Sequence, residues 1–126
     1  MSDAFTLKIS AVQTPAGQAS FDPFNGALQD DFSVDEFSNG TVVEVPVGTG
    51  YTASTAHMAT GSYAAIKNMD SAIDVTVAWE DSDSHTNTQR IPPGRSFYIP
   101  DFKTASLIVL VADSGTPLCK ISFGGT

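Results

Sequence analysis

Basic residues are scarce in this sequence. Six lysines and arginines stand against fourteen carboxylates, giving a formal net charge of −8. Such a surface repels phosphate backbones, which argues against nucleic acid as a partner over most of the chain, and it disfavours adsorption to anionic membranes. The excess acid either serves solubility or complements a basic partner. Cysteine is nearly absent as well. Cys119 stands alone, so no intrachain disulfide framework exists, and its place in the segment PLCKISF suits a small buried apolar residue. No apolar run is long enough to cross a bilayer. The opening residues MSDAFTLKIS lack the basic region and apolar core of a secretory signal, and synthesis and folding in a cytoplasm are expected.

The furniture of catalysis is equally thin. A hydrolytic triad needs a nucleophile, a base within reach and a group that orients the base. His57 and His85 are the sole candidate bases; both lie among small polar residues, with no G-x-S-x-G elbow, and read as surface histidines. Two acidic clusters, Asp30, Asp31, Asp35 and Glu36, then Glu80, Asp81 and Asp83 with His85, offer oxygen ligands but lack the alternating order of a calcium loop. Solvated acidic loops are the plainer reading. Paired carboxylates for glycoside hydrolysis are open to any two of these groups that meet in space. One tryptophan and three tyrosines would furnish a sugar-binding groove sparsely. The segment GTGY at Gly48–Tyr51 has two glycines but no helix after it to hold a phosphate. The sequence predicts no catalytic residue, no cofactor and no metal site.

What remains is a chain rich in Thr, Ser, Gly, Val and Phe and poor in leucine, a mixture that suits pleated strands and tight turns. Alternation over Ala4 to Val12 puts Phe5, Leu7, Ile9 and Ala11 on one face. From Ala19 to Asn39 the pattern is irregular, and a long loop or arm is expected with one short strand near Leu28 to Val34. Asn39-Gly40 signals a turn into TVVEVPV, an edge strand because Pro46 cannot donate to a ladder. GTGYTASTAHMATG reads as a surface loop. SYAAIKN is a strand, and in IDVTVAWE the residues Ile73, Val75, Val77 and Trp79 share a buried face. EDSDSHTNTQ reads as an exposed hairpin loop. Pro93-Gly94 makes a tight turn that sends Phe97 and Ile99 inward. ASLIVLVA, apolar on both faces, is a central strand, fully covered or buried by a partner. Asp113-Ser114-Gly115 turns into a last strand from Leu118 to Phe123. About eight short strands separated by Gly and Pro predict an all-β fold, an antiparallel β-sandwich or jelly roll. Residues 1–126 read as one such domain, with 1–40 set apart as an arm or partner-docking segment.

The order of segments from Tyr63 onward, Y-A-A-I-K-N-M-D, V-T-V-A-W, I-P-P-G-R-S-F-Y-I-P and L-I-V-L-V-A-D-S-G, resembles small β-sandwich structural proteins of tailed-phage virions. The order carries the resemblance more than any one motif. Physically these residues read as framework, with Asn68 bonding local backbone at a strand end and Phe97 and Trp79 filling the space between sheets. The resemblance implies a non-enzymatic virion protein, foremost a capsid decoration or cement protein, with the neck, tail or fibre base as the alternative position. The major capsid protein or another virion protein is then the expected partner, and the chain is expected to form a homo-oligomer, a trimer favoured. Phe21, Phe24, Phe32 and Phe37 are the candidate partner-contact residues, ordinary core being their alternative role. Burying one ring contributes on the order of 2–3 kcal/mol. A reading of another class is a glycan-binding module using the loops at 48–61 and 80–90.

Overall fold

The structure is a computed structural model describing residues 3–23, 25–34, 36–37, 40–55, 58–104 and 108–126; for residues 3, 32–34 and 36–37 it describes the backbone alone. Among the described residues there are eleven strands and no helix: β1 (Asp3–Ile9), β2 (Leu28–Val34), β3 (Glu36–Phe37), β4 (Thr41–Glu44), β5 (Tyr51–Ala53), β6 (Gly61–Asn68), β7 (Val75–Glu80), β8 (Thr86–Ile91), β9 (Ser96–Ile99), β10 (Ile108–Ala112) and β11 (Leu118–Gly125). The strands from β4 onward divide between two antiparallel sheets. One runs β4–β11–β6–β9, with β3 continuing the β4 edge along β11, and the other runs β5–β10–β7–β8. First strand beside last in one sheet, second beside seventh in the other, is the topology of a jelly roll.

The facing sides of the two sheets supply the core. Ala64, Ile66, Ile99, Cys119 and Ile121 from one sheet meet Val75, Val77, Ile91, Ile108 and Leu110 from the other, all at most 1% exposed. Trp79 of β7 and Phe97 of β9 bridge the sheets, with ring centroids 5.4 Å apart and planes at 50°. This tilted contact favours aromatic quadrupoles over a flat sandwich. Asn68 is buried completely among these apolar neighbours, and its hydrogen bonds explain how. Its amide donates to the carbonyls of Ile73 at 2.8 Å and Ile91 at 3.0 Å, while its Oδ1 accepts from the N–H of Asp70 at 3.1 Å. The expected local capping is present, and the bond to Ile91 also ties the β6 end to the opposite sheet.

The turn at Pro92–Arg95 forms as the sequence requires. Pro93 and Gly94 occupy its centre, Gly94 has φ +71°, and the Arg95 N–H closes on the Pro92 carbonyl at 3.1 Å. The first strand of the jelly roll, β4, lies at an edge and stops before Pro46.

Several segments depart from expectation. TNTQ is not loop but belongs to the edge strand β8, Thr86–Ile91; the hairpin loop is only residues 81–85. Its polar side chains face water while its backbone pairs along the whole of β7, so pairing rather than burial makes it a strand. The segment after Gly50 is likewise not a surface loop. Tyr51–Ala53 pairs with β10, and Thr55 and Met58 are buried, the Thr55 hydroxyl donating to the Thr104 carbonyl at 3.1 Å. The β10 strand is central, yet its outer face is not fully covered, for Val111 is 36% exposed. The strand expected at Leu28–Val34 is present. It pairs with all of β1, Ile9 opposite Leu28 and Phe5 opposite Phe32, so the two strands form an antiparallel hairpin.

Candidate functional site

The β1–β2 hairpin lies on the outward side of the sheet β4–β11–β6–β9. Strand alternation points Phe5 and Leu7 toward that sheet, and both are half-buried. The Phe5 ring stacks on Tyr63 of β6, centroids 4.4 Å apart and planes within 13°, and Tyr63 is left 1% exposed on a face that would otherwise be wet. Further along, the Tyr98 hydroxyl of β9 donates to the Asp30 carboxylate of β2 at 3.2 Å. Burial, then the hydrogen bond to Asp30, push the Tyr98 phenol up to about 12. One aromatic stack and one charge-assisted hydrogen bond thus fix the hairpin across the sheet.

The far end of the hairpin is different in character. Ile9 and Leu28 are 43% and 56% exposed, and the connecting segment adds Val12 and Phe21, 74% and 48% exposed. Phe21 is held in place by paired backbone bonds with Gln13 at 2.8 and 2.9 Å. Four large apolar side chains are therefore exposed on this tip, the hairpin end and its connecting segment, more than a single scattered residue would leave. Behind the tip, Leu7, Ile9, Ala65, Ser96 and Tyr98 line an open cavity of about 340 Å³ between hairpin and sheet.

Of the four phenylalanines singled out by sequence, Phe21 alone has a described side chain. Phe21 is at the tip. Phe32 sits within β2 opposite Phe5, and Phe37 pairs through its backbone with Gly124 at the jelly-roll edge. The side chains of these two, and all of Phe24, lie outside the described residues. Ile9, Val12 and Leu28 were not singled out, although the alternation that puts Ile9 on the face of Phe5 was the signal for it.

The acidic clusters are spent on local structure. In β2, Asp30 and Asp31 point to opposite sides. Asp31 accepts from the Thr6 hydroxyl at 2.7 Å and from the Gln29 amide at 2.9 and 3.0 Å, and the Thr6 and then the Gln29 hydrogen bond hold it below the usual carboxylate range. Asp35 lies outside the described residues, and Glu36 is described by backbone alone. In the β7–β8 loop, Asp81 Oδ1 accepts the N–H groups of Asp83 at 3.0 Å and His85 at 2.9 Å, and Oδ2 accepts from Asn87 at 3.2 Å. The His85 N–H bond leads in lowering its pKa. Glu80 pairs with Lys103 at 3.3 Å, and Asp101 accepts from the Ser82 N–H and hydroxyl. His85 is exposed beside Asp81, and His57 lies outside the described residues. Among the described residues no group of three or more His, Cys, Asp or Glu is placed to hold a metal ion. The Cys119 thiol is pushed up to about 11 by burial and then by the Asp70 charge, which keeps it protonated and unreactive near neutral pH.

Two lysines complete this outward face. Lys67 of β6 and Lys120 of β11 stand directly opposite each other in the ladder, both exposed. Each interrupts an otherwise apolar strand, AAIKN and LCKIS, which was the sequence signal for them. No family model, curated protein or solved structure matches the chain.

Proposed function

We propose that this chain is a non-catalytic structural protein of a virion, a decoration or cement protein that binds major capsid subunits and reinforces the shell. The observation that carries this reading is the projecting apolar tip, Ile9, Val12, Phe21 and Leu28, on a hairpin anchored to a rigid jelly roll. Such a tip suits protein contact, since burying these side chains is favourable and the scaffold beneath them loses little freedom on binding. Two further points support it. The segment order from Tyr63 onward resembles small virion proteins, and jelly rolls recur in viral capsids, although they also recur in lectins and cupins, so the fold adds analogy alone. The loops that a glycan reading would use hold a paired strand at Tyr51–Ala53 followed by the buried Thr55 and Met58, and a tight turn at 81–85, which leaves the described residues little room to form a cleft.

On this reading the protein assembles as a homo-oligomer, a trimer favoured, and meets its capsid partner through the tip. Antibody raised against the purified protein should decorate the heads of virus particles from its source in immunogold electron microscopy. Labelling confined to one end of the particle would move the protein to the neck, tail or fibre base. Particles free of label and of the polypeptide would remove the virion reading.

A further inference from the structure

The outward face of β4–β11–β6–β9 is only partly covered by the hairpin. Beyond Tyr63 and Tyr98 lies an open end lined by Gly40, Ala65, Lys67, Ser96, Lys120 and Ser122, enclosing about 200 Å³. Around it Val42, Leu118 and Met69 are 50%, 44% and 48% exposed. The register puts Val42 beside Lys120, and Leu118 beside Glu44, on the same side of the sheet. The Lys120 side chain lies across Gly40, where a Cβ would come within 2.8 Å of its Cε. This end combines an apolar floor with two ammonium groups.

The lysines are out of keeping with the chain. Like charges directly opposite in a ladder repel. Arg90 and Lys103 have carboxylate partners at 2.8 and 3.3 Å, whereas Lys67 and Lys120 have no hydrogen-bond or ion-pair partner among the described residues. An incoming carboxylate would relieve that repulsion. The complement is present in the same sequence. Residues 1–40 hold one cation, Lys8, against six carboxylates, and the segment joining β1 to β2 carries Asp22 next to the exposed Phe21. Ile9 of the tip reaches the border of this end, where Ala65 and Ser96 line both cavities, yet neither lysine pairs with a carboxylate of its own hairpin among the described residues.

We infer that the lysine end of this face receives the acidic, apolar hairpin tip of a second copy of the chain, head to tail. The two surfaces adjoin on one protomer but carry different side chains, and repeated head-to-tail contacts close into a ring when the rotation permits. This deepens the oligomer named under the proposed function but does not depend on a virion. Immunogold labelling of particles and self-association in solution fail independently.

Light scattering coupled to size exclusion tests it. The native protein at low salt should run as more than one copy of the 13.2 kDa chain and lose mass at about 1 M NaCl, where charges interact over only about 3 Å. Lys67→Glu with Lys120→Glu should weaken association at least about tenfold, and Lys67→Arg with Lys120→Arg should keep it. Val12→Asp with Phe21→Asp should also yield a monomer. All these changes are on exposed side chains, and an unchanged near-ultraviolet signal from Trp79 confirms each fold. The deciding sample is an equal mixture of the glutamate variant and the aspartate variant. One supplies an intact tip and the other an intact lysine face, so the mixture should form a dimer and stop there. A native monomer at every concentration, a glutamate variant with native mass, or a mixture that stays monomeric overturns the inference.

Discussion

The Phe5 ring lies flat on Tyr63, within 13° of parallel and 4.4 Å away, and this contact joins an N-terminal strand to the middle of the jelly roll. Tyr63 owes its burial to a residue outside its own sheet. Phe5→Ala should therefore uncover Tyr63 and loosen the hairpin without unfolding the core beneath. The expected loss is about 1–3 kcal/mol, less than for a fully enclosed ring, because Phe5 is only half-buried. Amide exchange should accelerate over residues 4–9 and 28–31 while Val75, Val77 and Leu110 stay protected. Equal acceleration in both regions would show that hairpin and jelly roll open together.

The Tyr98–Asp30 hydrogen bond sets an alkaline limit on the same attachment. The phenol is the donor, so the bond requires the protonated form. With the folded pKa raised to about 12 from 10.0, the contribution is complete below pH 10.0 and is lost as pH rises through about 12. Ultraviolet titration should show a late tyrosinate that Tyr98→Phe removes, and Asp30→Asn should bring that transition to lower pH. If Tyr98→Phe leaves alkaline detachment of the hairpin unchanged, another group controls it.

Asn68 should tolerate almost nothing. Leucine in its place leaves the carbonyls of Ile73 and Ile91 without their donor in an apolar setting, and aspartate would present a charge or an unmatched acceptor there. Asn68→Leu is expected to cost about 2–4 kcal/mol, the penalty for stranding buried polar groups. Chemical denaturation followed by Trp79 fluorescence measures it. A loss well below 1 kcal/mol would mean that water reaches those carbonyls.

Gly50 marks a backbone constraint of a different kind. It has φ +66°, and a Cβ there would fall 2.2 Å from the Leu110 carbonyl oxygen. Gly50→Ala should separate β5 from β10 and lower stability by more than about 1 kcal/mol, since a left-handed conformation and a backbone clash combine. Gly17, at φ +72° with open space around it, is the control: the same substitution there carries only the conformational cost. Similar melting temperatures for the two variants would refute the close approach.

Much of the fold was legible because apolar residues on β1, β7 and β11 alternate in step with the pleat. Phe5 with Leu7, Val75 with Val77, and Cys119 with Ile121 each share a face in sequence and in space. The polar strand β8 and the short β5 were not legible. Thr86–Ile91 has no apolar rhythm, and its extended form comes from the backbone of β7, which a local pattern does not encode. The candidate site was harder still. Lys67 and Lys120 belong to strands far apart in the chain and become neighbours only through the β6–β11 register. Phe21 was visible as an apolar residue in a polar stretch, but its company with Ile9 and Leu28 depends on β1 and β2 pairing across an irregular connection.

The position of β11 has a consequence for how the protein is made. This strand sits between β4 and β6, and each of those edges lacks its neighbour until residues 118–125 have been synthesised. Until β11 arrives, β4 and the β6–β9 pair lack the strand that joins them, so this sheet closes after the sheet β5–β10–β7–β8 has all its strands. Non-local closure of this kind is slow, and the facing edges of β4 and β6 stay unpaired until it occurs. A net charge of −8 carried from the first residues onward then acts as protection against aggregation during that interval, before any partner is met.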